Sequence, residues 1–415
     1  MSQQNTPSVT SPWPSFTKQE ADAVAQVLLS NKVNYWTGTI CRRFETEFAA
    51  FAGTKYAIAL ANGTLALDLA LQGLGIGAHC GGAATDEVIV TSRSFMASAS
   101  SIVNSGARPV FADVDTDSQN ITGATIAAVM TAQTRAVLCV HLAGWACDMD
   151  AIRAAVGPDV RLIEDCAQAH GALYKGRPVG SLGDVGAWSF CQDKIMTTGG
   201  EGGMVTCNDD ALWRKMWAFK DHGKSYEAVY DRDHEPGFRW LHESFGTNWR
   251  MTEMQGAIGR IQLGRMPDWQ ARRQANAALI TAALLPFAGP DGPVRVTTPA
   301  CDGCTGCGVV TGCRHAYYKY YAFVRPDHLA AGWDRDRIVA SIAAMGVPCI
   351  QGSCSEMYLE KAFDDTGLRP AQRLPIARQL GDTSLMFMVH PTLTPAEMVY
   401  TTDAITSVLT QAQQS

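Results

Sequence analysis

Three short stretches of the sequence carry residue types that could act together on one ligand. Lys194 follows the strand-like segment GAWSF and precedes the glycine-rich segment GGEGG. Asp165 ends a second strand-like segment, RLIED. A third stretch, Asn62-Gly63-Thr64, opens a run of apolar residues at helical spacing. The sequence therefore offers an amine, a carboxylate and a helix N-terminus, each at or shortly after the end of a predicted strand.

The Asn62-Gly63-Thr64 stretch has the features of an anion site. Backbone N–H groups at the start of a helix attract negative charge, and a glycine lets a ligand come close. The Thr64 hydroxyl adds a further donor. This combination suits a phosphate group, although Asn62 could also be a plain helix cap. Taken singly, Asp165 could likewise be a cap or a surface charge, and Lys194 a solvated lysine.

One cofactor needs all three features. Pyridoxal phosphate requires a lysine for a Schiff base, a carboxylate beside its pyridine nitrogen and a helix N-terminus for its phosphate. Lys194 follows Asp165 by 29 residues, and one predicted strand lies between them. Adjacent strand ends could therefore present both side chains to one ring. The combination predicts a pyridoxal-phosphate enzyme.

Strand and helix patterns alternate through the first two-thirds of the chain. In residues 86–115, the apolar VIV is followed by a helical pattern from Met96 to Asn104 and by PVFADV. Further strand-like runs are RAVLCVHL, RLIED, GAWSF and GGMVTC. This alternation predicts an α/β fold with a mostly parallel, doubly wound sheet. Ligands of such sheets gather at the carboxyl ends of the strands.

The pattern changes at Arg250. One long helical stretch begins there and is interrupted only by Pro267, where a bend is expected. A glycine- and cysteine-rich loop, the strand-like HAYYKYYAFV and two helical patterns follow. We therefore predict a large α/β domain that binds the cofactor at 1–260 and a smaller α+β domain at 261–415.

Composition excludes several partners. The 415 residues include 47% hydrophobic and 18% charged residues, which is typical of a soluble globular protein. The net charge of −6 and the lack of a Lys/Arg-rich run argue against nucleic acid and membrane surfaces as partners. The N-terminus has no signal-peptide pattern, and no apolar run is long enough to span a membrane. We expect a cytoplasmic protein with small-molecule substrates.

With these motifs the chain resembles the nucleotide-sugar aminotransferases of the DegT–DnrJ–StrS type, which are fold type I pyridoxal-phosphate enzymes. The similarity extends over nearly the whole length. The segments that carry it are YWTGTICRRFETEFAAFAGTKYAIALANGTLALDLAL, SFMASASSIVNSGARPVFADVD, EDCAQAHGA, SFCQDKIMTTGGEGGMV and GTNWRMTEMQGAIGRIQL.

The resemblance implies a role for each matching residue. Lys194 forms the internal aldimine and then serves as general acid and base, and Asp165 pairs with the pyridine nitrogen. The other cofactor contacts that it implies are Gln168 beside the ring, Phe95 on the ring face, and Gly63, Thr64 and Ser189 at the phosphate. Asn248 reaches the phosphate from the neighbouring subunit, which implies a homodimer with shared active sites.

The resemblance also implies a reaction. An amino donor, glutamate in most of the family, converts pyridoxal phosphate to pyridoxamine phosphate, which aminates a nucleotide-linked keto-sugar. The substrate expected here is a 4-keto-6-deoxyhexose, used in surface polysaccharide, O-antigen or glycoconjugate biosynthesis. Relatives that dehydrate keto-sugars carry histidine at the position of Lys194, so dehydration is not expected. The alternative is a regulatory or signalling protein that binds pyridoxal phosphate, because a fold does not fix an activity.

Two parts of the sequence bear on the expected substrate, and the first of them departs from the family pattern. IQGSCSEMYLEKAF stands where many relatives have a tyrosine-proline-leucine motif, so the sugar is left open. HAYYKYY matches the region where relatives carry a tyrosine or histidine. Tyr318 is therefore a candidate for substrate contact, with a core or interface position as the alternative.

A cysteine cluster lies in the loop CDGCTGCGVVTGC. Its members are Cys301, Cys304, Cys307 and Cys313. CxxC spacing suits zinc, and CxxCxxC is similar to bacterial iron–sulfur runs. Zinc sites usually pair two separate knuckles, however, and the family implies no metal here. We predict no metal and keep zinc as the alternative.

Overall fold

The computed structural model describes residues 8–297 and 312–413. The helices in these ranges are α1 (Lys18–Leu29), α2 (Ile40–Ala52), α3 (Gly63–Leu74), α4 (Ala97–Asn104), α5 (Gly123–Ala127), α6 (Met149–Val156), α7 (Asp210–Lys220), α8 (Tyr226–Tyr230), α9 (Glu253–Leu284), α10 (Arg335–Ala344), α11 (Pro375–Thr383) and α12 (Pro395–Ala412). The strands are β1 (Tyr56–Leu60), β2 (Glu87–Thr91), β3 (Arg108–Ala112), β4 (Thr134–Val140), β5 (Arg161–Asp165), β6 (Leu173–Tyr174), β7 (Arg177–Pro178), β8 (Val185–Ser189), β9 (Gly203–Cys207), β10 (Val294–Arg295), β11 (Tyr320–Val324), β12 (Cys349–Ile350) and β13 (Ser384–Phe387).

A seven-stranded sheet forms the centre of the larger part of the molecule. Its order is β1-β9-β8-β5-β4-β2-β3. The pairs from β8 through β5, β4 and β2 to β3 are parallel, whereas β9 is antiparallel to both of its neighbours. The predicted mostly parallel α/β sheet is therefore confirmed. The apolar pattern of GGMVTC predicted strand β9 but could not give its direction.

Helices cover both faces of this sheet, which explains its continuous apolar strands. Val88 and Val90 belong to one core cluster, whereas Ile89 between them belongs to another. All three side chains are fully buried. Successive side chains of a strand point to opposite faces, so both faces must be apolar where both are covered.

A second sheet, with the order β10-β11-β13-β12, is antiparallel throughout. Residues of α9, α10 and α12 share its hydrophobic core. Its strand β11 is shorter than HAYYKYYAFV predicted, because pairing begins only at Tyr320. The preceding residues instead bond the larger part of the molecule: Ala316 N–H donates to Gly144 O (2.8 Å) and Tyr318 N–H to Ala143 O (2.9 Å).

Helix α9 joins the two parts. It runs for 32 residues with Pro267 inside it and contacts α1 and α2 as well as α12. The boundary predicted between residues 260 and 261 falls within this helix, so the two-domain division remains our proposal. No helix of the described ranges is both long enough and apolar enough to cross a membrane.

Candidate active site

A cavity of about 1240 Å³ opens where the carboxyl ends of the parallel strands face the small sheet. Every site residue predicted from the sequence except Asn248 lines it. These residues are Gly63, Thr64, Phe95, Asp165, Gln168, Ser189, Lys194 and Tyr318. Residues from separate strand ends therefore converge on one space, as the doubly wound sheet requires.

The start of α3 forms one end of the cavity. Asn62 does cap this helix, because its Oδ1 accepts a hydrogen bond from Leu65 N–H (3.0 Å). The N–H groups of Gly63 and Thr64 have no acceptor within the described part of the chain. A Cβ on Gly63 would overlap the Cβ of Ser189, so the glycine lets the helix start directly against the end of β8. Free N–H groups beside a serine hydroxyl suit a phosphate.

Asp165 ends β5 with 6% of its surface exposed. Its oxygens accept hydrogen bonds from Ser98 Oγ (2.9 Å) and Ala167 N–H (3.1 Å). Burial raises the pKa of this carboxyl, and the two hydrogen bonds together with the charge of Lys194 only partly oppose the rise. No basic side chain of the described residues forms an ion pair with it. A protonated pyridine nitrogen would supply the missing positive charge.

Lys194 lies in the loop after β8, within a small polar network. Its Nζ is 3.8 Å from Asp193 Oδ1 and 5.1 Å from the centre of the Tyr318 ring. The Tyr318 hydroxyl donates to Asp193. Burial alone would raise the pKa of Asp193, but the Lys194 charge and the Tyr318 hydrogen bond outweigh it and lower this pKa. Trp13 anchors the loop, since its Nε1–H donates to Lys194 O (2.9 Å).

Gln168 and Phe95 occupy the remaining predicted positions around the cofactor. Gln168 Oε1 accepts a hydrogen bond from Ala143 N–H (2.8 Å), which fixes the orientation of its amide. Ala143 has a φ of 58°, an uncommon value for a residue with a Cβ. Phe95 is 71% exposed at the cavity wall, so its ring face is available for stacking.

Backbone angles and close contacts within the protein explain the glycines of the GGEGG segment. Gly199 and Gly200 have φ values of 93° and 118°, which glycine adopts without strain. A Cβ on Gly203 would collide with the carbonyl oxygen of Asn62. The glycines therefore make the turn after Lys194 and let β9 lie against the cap of α3. The cavity wall includes Glu201 from this segment.

The segment IQGSCSEMYLEKAF, which stands at the position of the family's substrate motif, also reaches the cavity. Ile350, Cys354 and Met357 are among its residues in the wall. Two contacts hold it to the end of β2: Met357 N–H donates to Ser92 O (3.0 Å), and the buried Arg93 donates to Ser355 Oγ (2.8 Å).

Sequence reasoning missed several residues of the site. They are Trp13, Ser98, Asp193 and Lys319. Asp193 directly precedes the candidate Lys194, and Lys319 directly follows the candidate Tyr318. The others lie far from Lys194 and Asp165 along the chain or in positions without a motif.

Two predictions concern residues away from the cavity. Asn248 is exposed and pairs with Asp221 through a backbone bridge. Its contribution to a partner's site remains a prediction. Of the clustered cysteines, Cys301, Cys304 and Cys307 lie outside the described residues. Cys313 is buried, and its Sγ accepts a hydrogen bond from Lys175 N–H (3.3 Å).

Comparison with known proteins places these features in a family. The model of the DegT/DnrJ/EryC1/StrS aminotransferase family matches residues 14–406. A GDP-perosamine synthase of Caulobacter vibrioides is 35% identical over 90% of this chain and 92% of its own length. A pleiotropic regulatory protein of Geobacillus stearothermophilus is 31% identical over 89% of each chain. A crystal structure of an aminotransferase from Psychrobacter cryohalolentis superposes with a TM-score of 0.91, at 62% identity, over 97% of this chain and 99% of that one.

Proposed function

Because the chain belongs to the DegT/DnrJ/EryC1/StrS aminotransferase family, we propose that it transfers an amino group from L-glutamate to a nucleotide-linked keto-sugar. Membership confirms the predicted reaction class, an aminotransferase, the predicted cofactor, pyridoxal phosphate, and the fold type. The donor and the sugar are our proposal, and a 4-keto-6-deoxyhexose is the acceptor that we favour. The proposal includes the cytoplasm as location and surface polysaccharide, O-antigen or glycoconjugate biosynthesis as the use of the product.

The observation that carries the proposal is the arrangement of Asp165, Lys194 and the start of α3 around one cavity. The cofactor, when bound, supplies an electron sink for the carbon that gains or loses a proton. Asp165 would keep the pyridine nitrogen protonated, because a buried carboxylate favours a cation beside it. Lys194 would hold the cofactor through its amine and, as a free amine, would move the proton at the substrate carbon.

The remaining predicted residues would bind and orient the cofactor. Their proposed roles are phosphate binding for Gly63, Thr64 and Ser189, cover of the ring face for Phe95, and contact with the ring edge for Gln168. Tyr318 is proposed to contact the substrate, since it lines the cavity and its ring centre lies 5.1 Å from Lys194 Nζ.

The size of the cavity supports a large acceptor. Its volume exceeds the ~300–1,000 Å³ that is usual for pockets of drug-sized ligands. A single-ring cofactor with an amino acid would leave much of it empty, whereas a nucleotide-linked sugar could occupy the rest. The Caulobacter relative, named for a GDP-linked amino sugar, supports an acceptor of this class.

We also propose a homodimer in which Asn248 completes the partner's site. Asn248 is exposed and outside the cavity of its own chain. The preceding loop exposes three large aromatic side chains: Phe238 (78%), Trp240 (81%) and Phe245 (100%). Exposed apolar patches of this kind mark interaction sites. The proposed dimer would cover them.

Absorption spectroscopy of the purified holoenzyme tests the donor half of the reaction. L-glutamate should shift the bound cofactor to its amine form, and the Lys194→Ala variant should show no such shift. Nucleotide keto-sugars added to the amine form should then yield amino-sugar products by mass spectrometry. A wild-type spectrum unchanged by amino acids would overturn the proposal and favour the regulatory alternative, to which the similarity with the Geobacillus protein lends support.

A further inference from the structure

Lys319 is a second lysine in the cavity wall, and the proposed function gives it no role so far. It lies one residue before β11 and directly after Tyr318. Its Nζ is 4.9 Å from the centre of the Tyr318 ring, and Lys194 Nζ is 5.1 Å from the same point. Both amines therefore lie close to one aromatic ring.

The described part of the chain gives the Lys319 amine no strong acceptor. Within the described ranges its hydrogen-bond acceptor is Met388 Sδ, at 3.2 Å, and a thioether sulfur accepts only weakly. Burial lowers the pKa of Lys319 to about 8; the charge of Asp193 opposes this effect, and Arg273 and Lys194 add to it. A partly buried ammonium without an oxygen partner is costly, so an anion in the cavity would stabilise it.

Among the charged side chains that the structure describes in the cavity wall, Lys319 is the one that can meet an anionic substrate. The lysines and arginines in the described part of the wall are Lys194 and Lys319. Lys194 gives up its free ammonium when it holds the cofactor. His390 also lines the cavity, but burial lowers its pKa to about 4, so it is neutral near pH 7. Lys319 is then the positively charged side chain that this wall offers to a substrate.

We infer that Lys319 binds the α-carboxylate of the amino donor. The inference rests on the proposed function, because it assumes an amino acid that reacts beside Lys194. The α-carboxylate of an amino acid is two bonds from the reacting nitrogen and must lie near that lysine. The diphosphate of a nucleotide sugar is attached across the sugar ring from a ketone at C4. Lys319, whose amine lies beside the same Tyr318 ring as the Lys194 amine, therefore suits the α-carboxylate better than the diphosphate.

The first test is the donor half-reaction in the Lys319→Met variant of the holoenzyme. Methionine keeps the length of the side chain and removes its charge. The concentration of L-glutamate that half-saturates the change in cofactor absorbance should rise roughly tenfold to hundredfold, as expected for loss of a charged hydrogen bond. Lys319→Arg should recover most of the loss. A primary alkylamine without a carboxylate should react equally with the wild type and both variants.

Lys361→Met is the matched control, because Lys361 is an exposed lysine that does not line the cavity. Its half-saturating glutamate concentration should equal that of the wild type. The cofactor absorption spectrum and Tm of each variant establish that fold and cofactor binding are intact. If the Lys319→Met variant unfolds, the Lys319→Gln variant is used for the same comparison.

Calorimetry with glutarate gives a second readout that does not depend on turnover. Glutarate has the carboxylates of glutamate but no amine, so it binds without reacting. Its Kd for the holoenzyme should rise in Lys319→Met by the same factor as the half-saturating concentration of glutamate. Equal glutamate saturation and equal glutarate binding in wild type and variant would overturn the inference.

The acceptor half-reaction tests whether Lys319 binds the diphosphate of the nucleotide keto-sugar instead of the α-carboxylate of the donor. If Lys319→Met weakens saturation of the amine form by the nucleotide keto-sugar while glutamate saturation is unchanged, Lys319 binds the diphosphate and the assignment to the carboxylate is overturned. A wild-type enzyme that does not react with glutamate would count against the proposed donor. The glutarate comparison would then decide the role of Lys319 by itself.

Discussion

The two sides of the cavity are built in different ways. One side, which we call the cofactor wall, consists of Gly63, Thr64, Asp165, Ser189 and Lys194. These residues follow strands of one sheet, and neighbouring strand ends bring them together. The register of the parallel strands pairs Val140 with Asp165 and Asp165 with Ala187. The ends of β4, β5 and β8 therefore lie side by side and fix the position of the cofactor wall.

The opposite side, which we call the small-domain wall, includes Tyr318, Lys319, Ile350, Met386 and Met388. Its position depends on contacts between distant segments, such as the hydrogen bond from Tyr318 N–H to Ala143 O. The buried Arg93 adds hydrogen bonds to Ser355 Oγ and Ser384 Oγ. The cofactor wall is therefore positioned by one sheet, whereas the small-domain wall is positioned by hydrogen bonds and apolar packing between separate segments. In that packing, Tyr321 and Met386 share a hydrophobic core with Ile89 of the central sheet.

If the cofactor wall carries the chemistry, the largest effect should come from Lys194→Ala. The variant should lose turnover entirely, because its amine both holds the cofactor and moves the proton. It should fold normally, since within the described residues the Lys194 amine makes a 3.8 Å ion pair with the exposed Asp193 side chain and a 5.1 Å contact with the Tyr318 ring, and no hydrogen bond. Turnover by product analysis and Tm by circular dichroism check this result. Measurable turnover in this variant would remove Lys194 from the reaction.

Asp165→Asn tests the same wall with a smaller change. The amide keeps the shape and can still accept from Ala167 N–H, but it cannot hold the pyridine nitrogen protonated. We expect cofactor to be partly retained and the rate of the donor half-reaction to fall roughly tenfold to hundredfold, as for loss of a charged hydrogen bond. Ser98→Ala is the matched control, since it removes one hydrogen bond to the carboxylate and leaves its charge. An unimpaired Asp165→Asn rate would place the cofactor carboxylate elsewhere.

Subunit mixing tests whether the cofactor wall is complete within one chain. In Asn248→Asp a carboxylate would repel the cofactor phosphate. When Asn248→Asp chains exchange subunits with Lys194→Ala chains, each heterodimer should carry both substitutions in one active site and neither in the other. Random exchange should restore roughly a quarter of wild-type activity if the dimer has two-fold symmetry. Silence despite exchange confirmed by mass spectrometry would place Asn248 in its own chain's site or outside the site.

The contrast between the walls also explains how far the sequence could predict this molecule. Strands such as β2 and β5 were recognisable because their apolar runs are buried on both faces. Asp165 was recognisable because it ends such a run and Lys194 because it follows one, and the rule for strand ends then placed them at the same end of the sheet. Local pattern and sheet geometry therefore sufficed for the cofactor wall.

Other features depend on contacts that no local pattern encodes. Trp13 reaches Lys194 O from 181 residues away, and Arg93 reaches Ser355 from 262 residues away. The strand predicted from His315 begins only at Tyr320, because the residues before it bond Ala143 and Gly144 instead of the neighbouring strand. The position of Lys319 in the cavity likewise depends on the hydrogen bonds that Ala316 and Tyr318 make to Gly144 and Ala143, which no local pattern encodes.

The smallest effect that we predict is the pH dependence of the small-domain wall. The pKa of Lys319 lies at about 8, below the usual 10.5 of lysine, because burial disfavours the charge. Its charge is therefore present below pH 8 and is lost as the pH rises through that value. Asp193, Arg273 and Lys194 are the charged neighbours that act on it, and His390 is already neutral there.

The Kd of the holoenzyme for glutarate should rise above pH 8 and reach roughly tenfold one pH unit higher, as for loss of one required proton. Glutarate avoids the titration of the donor amine, which would otherwise add its own pH dependence. In Lys319→Arg the profile should stay flat over this range, because a guanidinium keeps its charge. A flat wild-type profile, or an identical rise in the arginine variant, would show that the small-domain wall does not bind the carboxylate through Lys319.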